Sequence, residues 1–154
     1  MNNTGIKSDI YTVWLNGCFD ILHRGHIEML KYAKSLGGRT IVGLDTDERV
    51  KELKGKNRPI NTLEDRMELI RSLRDVDAVI SFDSDEHLIS ILQEFRPKYR
   101  VIGGDYKNEN IVGEEYSGMI KYFDRIPNYS TTGIINVQWN KKKNYNKNNY
   151  VENI

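Results

Sequence analysis

The chain has 154 residues, 38% of them hydrophobic, the size of one ordinary domain with enough apolar content to build a core. Its 23 basic and 22 acidic residues leave a formal charge of +1, so no overall field favours nucleic acid or an anionic membrane surface, and ligand recognition is expected to be local. The single cysteine, Cys18, excludes an internal disulfide, and no apolar run approaches the roughly 18 residues of a membrane span; with a polar start unlike a signal peptide, this favours the cytoplasm.

Taken in chain order, Tyr11 to Asn16 reads as a β-rich run ending at Gly17, and His26 to Leu36 follows with Ile27, Leu30, Ala33 and Leu36 at helical spacing. Thr40 to Leu44 is a second strand with little alternation, as expected where both faces are covered. The basic segment Arg49 to Arg58, with Lys51, Lys54 and Lys56 around Gly55, is expected to be a mobile loop. Asn61 with Glu64, or Thr62 with Asp65, forms a capping-box pattern ahead of a helix whose stripe is Leu63, Met67, Ile70 and Leu73.

Ala78 to Phe82 is the third strand, Glu86 to Phe95 a helix closed by Pro97, Tyr99 to Ile102 the fourth strand, and Lys121 to Ile126 the fifth. Ser130 or Thr131 then caps a last helix through Ile134, Ile135 and Val137. Such alternation requires right-handed crossovers and gives a Rossmann-like α/β fold, a doubly wound parallel five-stranded sheet with helices on both faces. One domain is expected over residues 1–139. Residues 140–154 hold four lysines against one glutamate and little apolar content, and are expected to form a flexible Asn/Lys-rich tail. In this fold, ligands sit beyond the carboxyl ends of the strands.

The segment most informative about chemistry is Asn16-Gly17-Cys18-Phe19-Asp20-Ile21-Leu22-His23-Arg24-Gly25-His26, where a strand ends and a helix begins. Gly25 lets a phosphate approach the backbone, the free amides at the helix start favour an anion, and two imidazoles add donors. Attack on the α-phosphorus of a nucleoside triphosphate builds charge on the phosphoryl oxygens and the departing pyrophosphate, which calls for positioned donors and cations and no protein nucleophile. The chain shows no Ser-His-Asp or Cys-His grouping, and Cys18 reads better as a small buried residue at the strand end than as a nucleophile.

Gly17-Cys18-Phe19-Asp20 followed by His23-x-Gly25-His26 resembles the cytidylyltransferase-like nucleotidyltransferase family. Lys54-Gly55 with Arg58-Pro59, Glu64-Asp65-Arg66-Met67, Gly103-Gly104-Asp105-Tyr106-Lys107 and Ser130-Thr131-Thr132 follow in the order shown by heptose 1-phosphate adenylyltransferases. The resemblance covers residues 11–137.

It implies that His23 and His26 contact the triphosphate and stabilise the transition state, and that Lys54 reaches over the α-phosphate and the incoming phosphate. Asn16, Gly17, Cys18, Phe19 and Gly25 are implied to line the nucleotide. Asp20 is implied to orient a histidine or help hold magnesium, with helix capping as its plainer alternative. Gly103 and Gly104 would leave room for base or ribose, or merely make a turn, with Asp105 as a hydrogen-bonding group. Ser130, Thr131 and Thr132 would grip the outer phosphates, a role compatible with an N-cap.

Arg58 is expected to bind the acceptor phosphate, with a surface arginine as the alternative, and Arg66 to make either a ligand contact or a structural ion pair. Arg125, five residues before Ser130, also looks like the phosphate-binding arginine of glycerol 3-phosphate cytidylyltransferases. The function implied is transfer of AMP from ATP to a sugar 1-phosphate of heptose type, with CMP transfer from CTP to glycerol 3-phosphate or a similar polyol phosphate as the alternative. A nucleotide-binding module without turnover is the alternative from another class. Magnesium is expected with the triphosphate, no stored metal, and a homodimer by similarity only.

Overall fold

The computed structural model describes residues 10–137; the expected tail at 140–154 lies outside them. Five strands, β1 (Thr12–Gly17), β2 (Arg39–Asp45), β3 (Ala78–Phe82), β4 (Tyr99–Gly103) and β5 (Met119–Phe123), form one all-parallel sheet in the order β3-β2-β1-β4-β5. The helices are α1 (Arg24–Ser35), α2 (Asp47–Lys54), α3 (Leu63–Arg71), α4 (Asp85–Phe95) and α5, residues 131–137. The strand order reverses direction between β1 and β4, which opens a crevice at their carboxyl ends.

Alternate residues of β1 face opposite layers. Val13 and Leu15 pack with Leu30 and Ala33 of α1, Ile70 of α3, and Val42 and Leu44 of β2. Trp14 faces the other way, against Ile41, Phe82 and the α4 residues Leu88, Ile91 and Leu92. Burying each such side chain stabilises the fold by about 1.5–3 kcal/mol, and the two layers clamp β1 at the centre of the sheet.

Three helix starts are fixed by hydroxyl caps, each contributing about 1 kcal/mol: Thr46 accepts from Arg49 N, Thr62 from Asp65 N and Ser84 from His87 N. Of the two cap patterns read at 61–65, the one that forms uses Thr62 with Asp65.

The expected loop from Arg49 is instead mostly helical. Thr46 caps α2, Asp47 and Glu48 sit in its first turn where the helix dipole favours them, and Val50 alone is buried beneath it. The helix stops at Lys54 because Gly55 takes a φ of 96°. The fifth strand also lies earlier than expected, at Met119–Phe123, because pairing with Tyr99–Gly103 of β4 sets its limits.

Candidate active site

Between β1 and α1 the chain makes a tight turn in which Phe19 and Ile21 adopt φ values of 47° and 53°. Such conformations cost on the order of 1–3 kcal/mol for side chains with a Cβ. The turn places His23 as the N-cap of α1 with His26 three residues later, and the two rings stack with centroids 3.8 Å apart. Phe19 packs on the outer side of His26 at 5.1 Å, and Tyr129 lies beyond His23 at 6.5 Å. The amides of Arg24 and Gly25 have no partner among the described residues, so the start of α1 is open to an anion.

The backbone N–H of His23 donates to His26 Nδ1 at 3.4 Å. This leaves the proton of a neutral His26 on Nε2, the tautomer able to donate to a phosphate oxygen. Burial, then His23 and Lys54, lower the His26 pKa to about 4, against a small opposing effect of Asp20. Burial and then Arg125 lower that of His23. Both imidazoles are therefore neutral donors at pH 7.

A cavity of about 420 Å³ opens over this turn. It is lined by Asn16, Gly17, Cys18, Phe19, Asp20, His23, Gly25 and His26, by Lys54 and Arg58, by Gly103, Asp105 and Arg125, and by Ser130, Thr131 and Thr132. Five separate stretches of chain thus converge. Lys54, the last residue of α2, bears on the pKa of both His26 and Cys18 through its charge. Burial is the largest influence on the Cys18 thiol and raises its pKa, which disfavours a nucleophilic thiolate. Arg125 pairs with Asp105 across the mouth.

Two residues expected at the ligand stand elsewhere. The Arg66 side chain is fully buried, and its guanidinium donates to Asn61 O at 3.2 Å, Cys18 O at 2.7 Å and Asp47 Oδ1 at 2.7 Å. Of the two roles weighed for it, the structural ion pair is the one formed, tying α3 to the strand-end turn and to α2. Gly104 is outside the cavity lining; a Cβ there would stand 2.4 Å from Asp124 Oδ1, so it is a close-packing position between the loops after β4 and β5.

Asp20 also differs from expectation. Its carboxylate accepts from Arg58 Nε at 3.0 Å, Ile60 N at 2.8 Å and Asn61 N at 3.0 Å, and its side chain is wholly buried. Burial opposes ionisation, but the Asn61 and Ile60 amides and the Arg58 guanidinium outweigh it and hold the carboxyl below its ordinary range. Both oxygens are occupied by the segment after α2, so Asp20 anchors that segment rather than capping α1 or offering a free face to a metal. Among the described residues no cluster of three metal-binding side chains occurs.

Thr131 donates its hydroxyl to Asp20 O at 2.7 Å, and Ser130 Oγ accepts from Gly133 N at 3.0 Å. Ser130 is thus the N-cap of α5, and Thr131 fastens that helix to the turn. The wall between these groups contains Met29, Phe123, Ile126 and Tyr129, given no site role from sequence, and Tyr106 of the Gly103-to-Lys107 block. Tyr106 belongs to the Gly103-Gly104-Asp105-Tyr106-Lys107 block and Tyr129 adjoins Ser130-Thr131-Thr132, and that placement was the available signal. Met29, Phe123 and Ile126 read simply as apolar positions.

Residues 14–137 match the model of the cytidylyltransferase-like family. The bifunctional protein HldE of Campylobacter fetus is 45% identical over 124 residues, covering 80% of this chain and 27% of that protein. The bifunctional protein HldE of Helicobacter hepaticus is 46% identical over 123 residues, covering 80% and 25% respectively. The chain thus spans about a quarter of the length of these curated relatives.

Among solved structures, a lipopolysaccharide core biosynthesis protein from Thermoplasma volcanium superposes with a TM-score of 0.60 at 28% identity, covering 78% of this chain and 98% of that one. A pantoate-beta-alanine ligase from Francisella tularensis superposes with a TM-score of 0.56 at 17% identity, covering 80% and 63%, a likeness of fold. With the strand-end turn, its paired imidazoles and the converging loops as described, the chain belongs to the cytidylyltransferase-like family.

Proposed function

We propose that this chain is a nucleotidyltransferase that moves AMP from ATP to a sugar 1-phosphate of heptose type and releases pyrophosphate. The observation that carries this reading is the pair of neutral imidazoles, stacked at 3.8 Å over the open start of α1, inside a cavity that also holds Lys54 and Arg58. An oxygen of the acceptor phosphate attacks the α-phosphorus, the bond from that phosphorus to the bridging oxygen breaks, and pyrophosphate leaves with the electron pair. Charge grows on the α-phosphoryl oxygens and on the leaving group, where fixed N–H donors and cations stabilise it most.

His26 and His23 donate to the phosphates, Lys54 neutralises charge at the α-phosphate, and the guanidinium nitrogens of Arg58 not engaged by Asp20 face the acceptor phosphate. Gly17, Phe19 and Gly25 leave the backbone of the turn close to the nucleotide, Gly103 makes room for base or ribose, and Ser130, Thr131 and Thr132 flank the outer phosphates. Magnesium arrives with the triphosphate as its counter-ion, consistent with a site rich in cations and with its buried carboxylate already engaged. A homodimer in the cytoplasm, where nucleoside triphosphates are available, completes the proposal; among the described residues no helix is long and apolar enough to cross a membrane.

The sugar acceptor is supported by the Gly103-Gly104-Asp105-Tyr106 block and by the neighbour described as a lipopolysaccharide core biosynthesis protein. Transfer of CMP to a polyol phosphate is not favoured: Arg125, the residue that suggested it, is held by Asp105, and the curated relatives named above are HldE proteins. The test is pyrophosphate release from purified protein with ATP or CTP against a panel of sugar 1-phosphates and polyol phosphates. Turnover with ATP and a heptose 1-phosphate is expected. Turnover with CTP alone would overturn the adenylyl reading, and no turnover with any pair would favour a binding module.

A further inference from the structure

Behind the strand-end turn lies a cation that the proposed chemistry leaves unused. Arg100 on β4 is 3% exposed and sits beside Trp14 of β1. Its Nη1 donates to Val112 O at 2.6 Å, its Nη2 to Asn16 Oδ1 at 3.2 Å, and its Nε is buried without a partner. Glu114 and Glu115 favour its charge only weakly against burial, which pulls its pKa down to about 10. A guanidinium buried without a bonded carboxylate is costly, and an apolar side chain of similar size would often be tolerated equally well.

What this cation holds is the side chain of Asn16. Trp14 Nε1 donates to the same Oδ1 at 3.0 Å. Two donors converging on one atom decide which end of the amide is the oxygen. Nδ2 makes no hydrogen bond among the described residues and is not among the buried atoms left without a partner, while Asn16 lines the cavity. Gly43 backs the arrangement: a Cβ there would stand 3.1 Å from Asn16 Cβ and 2.4 Å from Trp14 Cζ2.

The choice of an amide at this position is itself informative. An aspartate would give Arg100 a full counter-charge and stabilise the fold, but it would offer no donor and would repel phosphate. We propose that Arg100 and Trp14 are positioning residues that lock the Asn16 amide with its N–H groups turned to the cavity, where they donate to an unprotonated oxygen of the bound nucleotide. This rests on the nucleotidyltransferase reading above.

The test uses Asn16→Asp, Arg100→Met and Arg100→Lys in the full chain, with thermal midpoint, ATP affinity by calorimetry, and kcat and KM for pyrophosphate release. Asn16→Asp is expected to melt at or above the wild-type temperature while ATP affinity falls at least about tenfold. Arg100→Met is expected to weaken ATP on the order of three- to tenfold, the worth of one misaligned hydrogen bond, and Arg100→Lys to recover part of it. Should Arg100→Met fail to fold, Asn16→Asp decides alone. Wild-type ATP affinity in Asn16→Asp, or a loss of stability in step with affinity, would overturn the clamp. If His26→Ala abolishes turnover while Asn16→Asp retains it, the clamp falls and the reaction stands; a wild-type protein without turnover removes both.

Discussion

A Cβ placed on Gly25 would stand 3.0 Å from both Cε1 and Nδ1 of His23 and 3.4 Å from Tyr129 Cβ. The glycine between the two histidines therefore does more than admit phosphate; it leaves the volume that the His23 ring occupies. Gly25→Ala is expected to displace that ring by a few tenths of an ångström and to lower kcat by roughly tenfold or more. Because alanine is the better helix former by about 1 kcal/mol, stability should hold or rise. Unfolding curves alongside steady-state kinetics separate the two effects, and unchanged kcat would exclude the steric role.

His26→Ala should lower kcat by about 10²–10³, as expected for removal of one preorganised donor, with a smaller change in KM. His26→Asn, which keeps a donor, should fall less. Equal losses in the two variants would show that hydrogen-bond donation at this position contributes little.

His26 also makes stability depend on pH. Its folded pKa is about 4 against an ordinary value of 6.5, so between these limits the unfolded chain carries the extra proton. Stability from this group is fully present above pH 6.5 and declines as pH falls toward 4. Urea unfolding at stepped pH should show that decline in the wild type and a shallower one in His26→Asn.

Asp20→Asn leaves Arg58 without its carboxylate and presents an amide to the Ile60 and Asn61 N–H groups. A loss of about 3 kcal/mol is expected, the usual effect of breaking a buried ion pair from one side. The carboxyl is held below its ordinary range, so its contribution is present above that range and is lost only in stronger acid, outside the His26 window. The dependence of the rate on magnesium should be unchanged in the variant; a large shift in it would return Asp20 to the metal.

Arg66→Ala should act on the fold rather than on the ligand, since all its partners are protein atoms. About 3–5 kcal/mol of destabilisation is expected in denaturant titration, with the KM for ATP in the folded fraction changed less than threefold. A selective rise in KM with stability intact would restore the ligand role.

Local pattern in the sequence determined the elements whose apolar residues repeat clearly. Val13 to Leu15 and Ile41 to Leu44 are legible as continuous apolar runs, as strands covered on both faces require, and the stripe of Leu63, Met67 and Ile70 because burial of one helix face imposes a period. The strand-end turn was legible as well, since His23, Gly25 and His26 are neighbours in the chain. Helix α2 was not: it buries only Val50, too little for a periodic signal, and its surviving mark was the cap at Thr46 with Asp47 and Glu48 after it.

What only the tertiary structure decided is which polar residues are used up inside the fold. Arg66, Asp20 and Arg100 are charged residues with nothing local in the sequence to name their partners, which lie 48, 41 and 84 residues away, at Cys18, Asn61 and Asn16. A charge has no period, and its role depends on what desolvates and pairs it. Those neighbours come together only when β1, β4 and the segment after α2 close over one another.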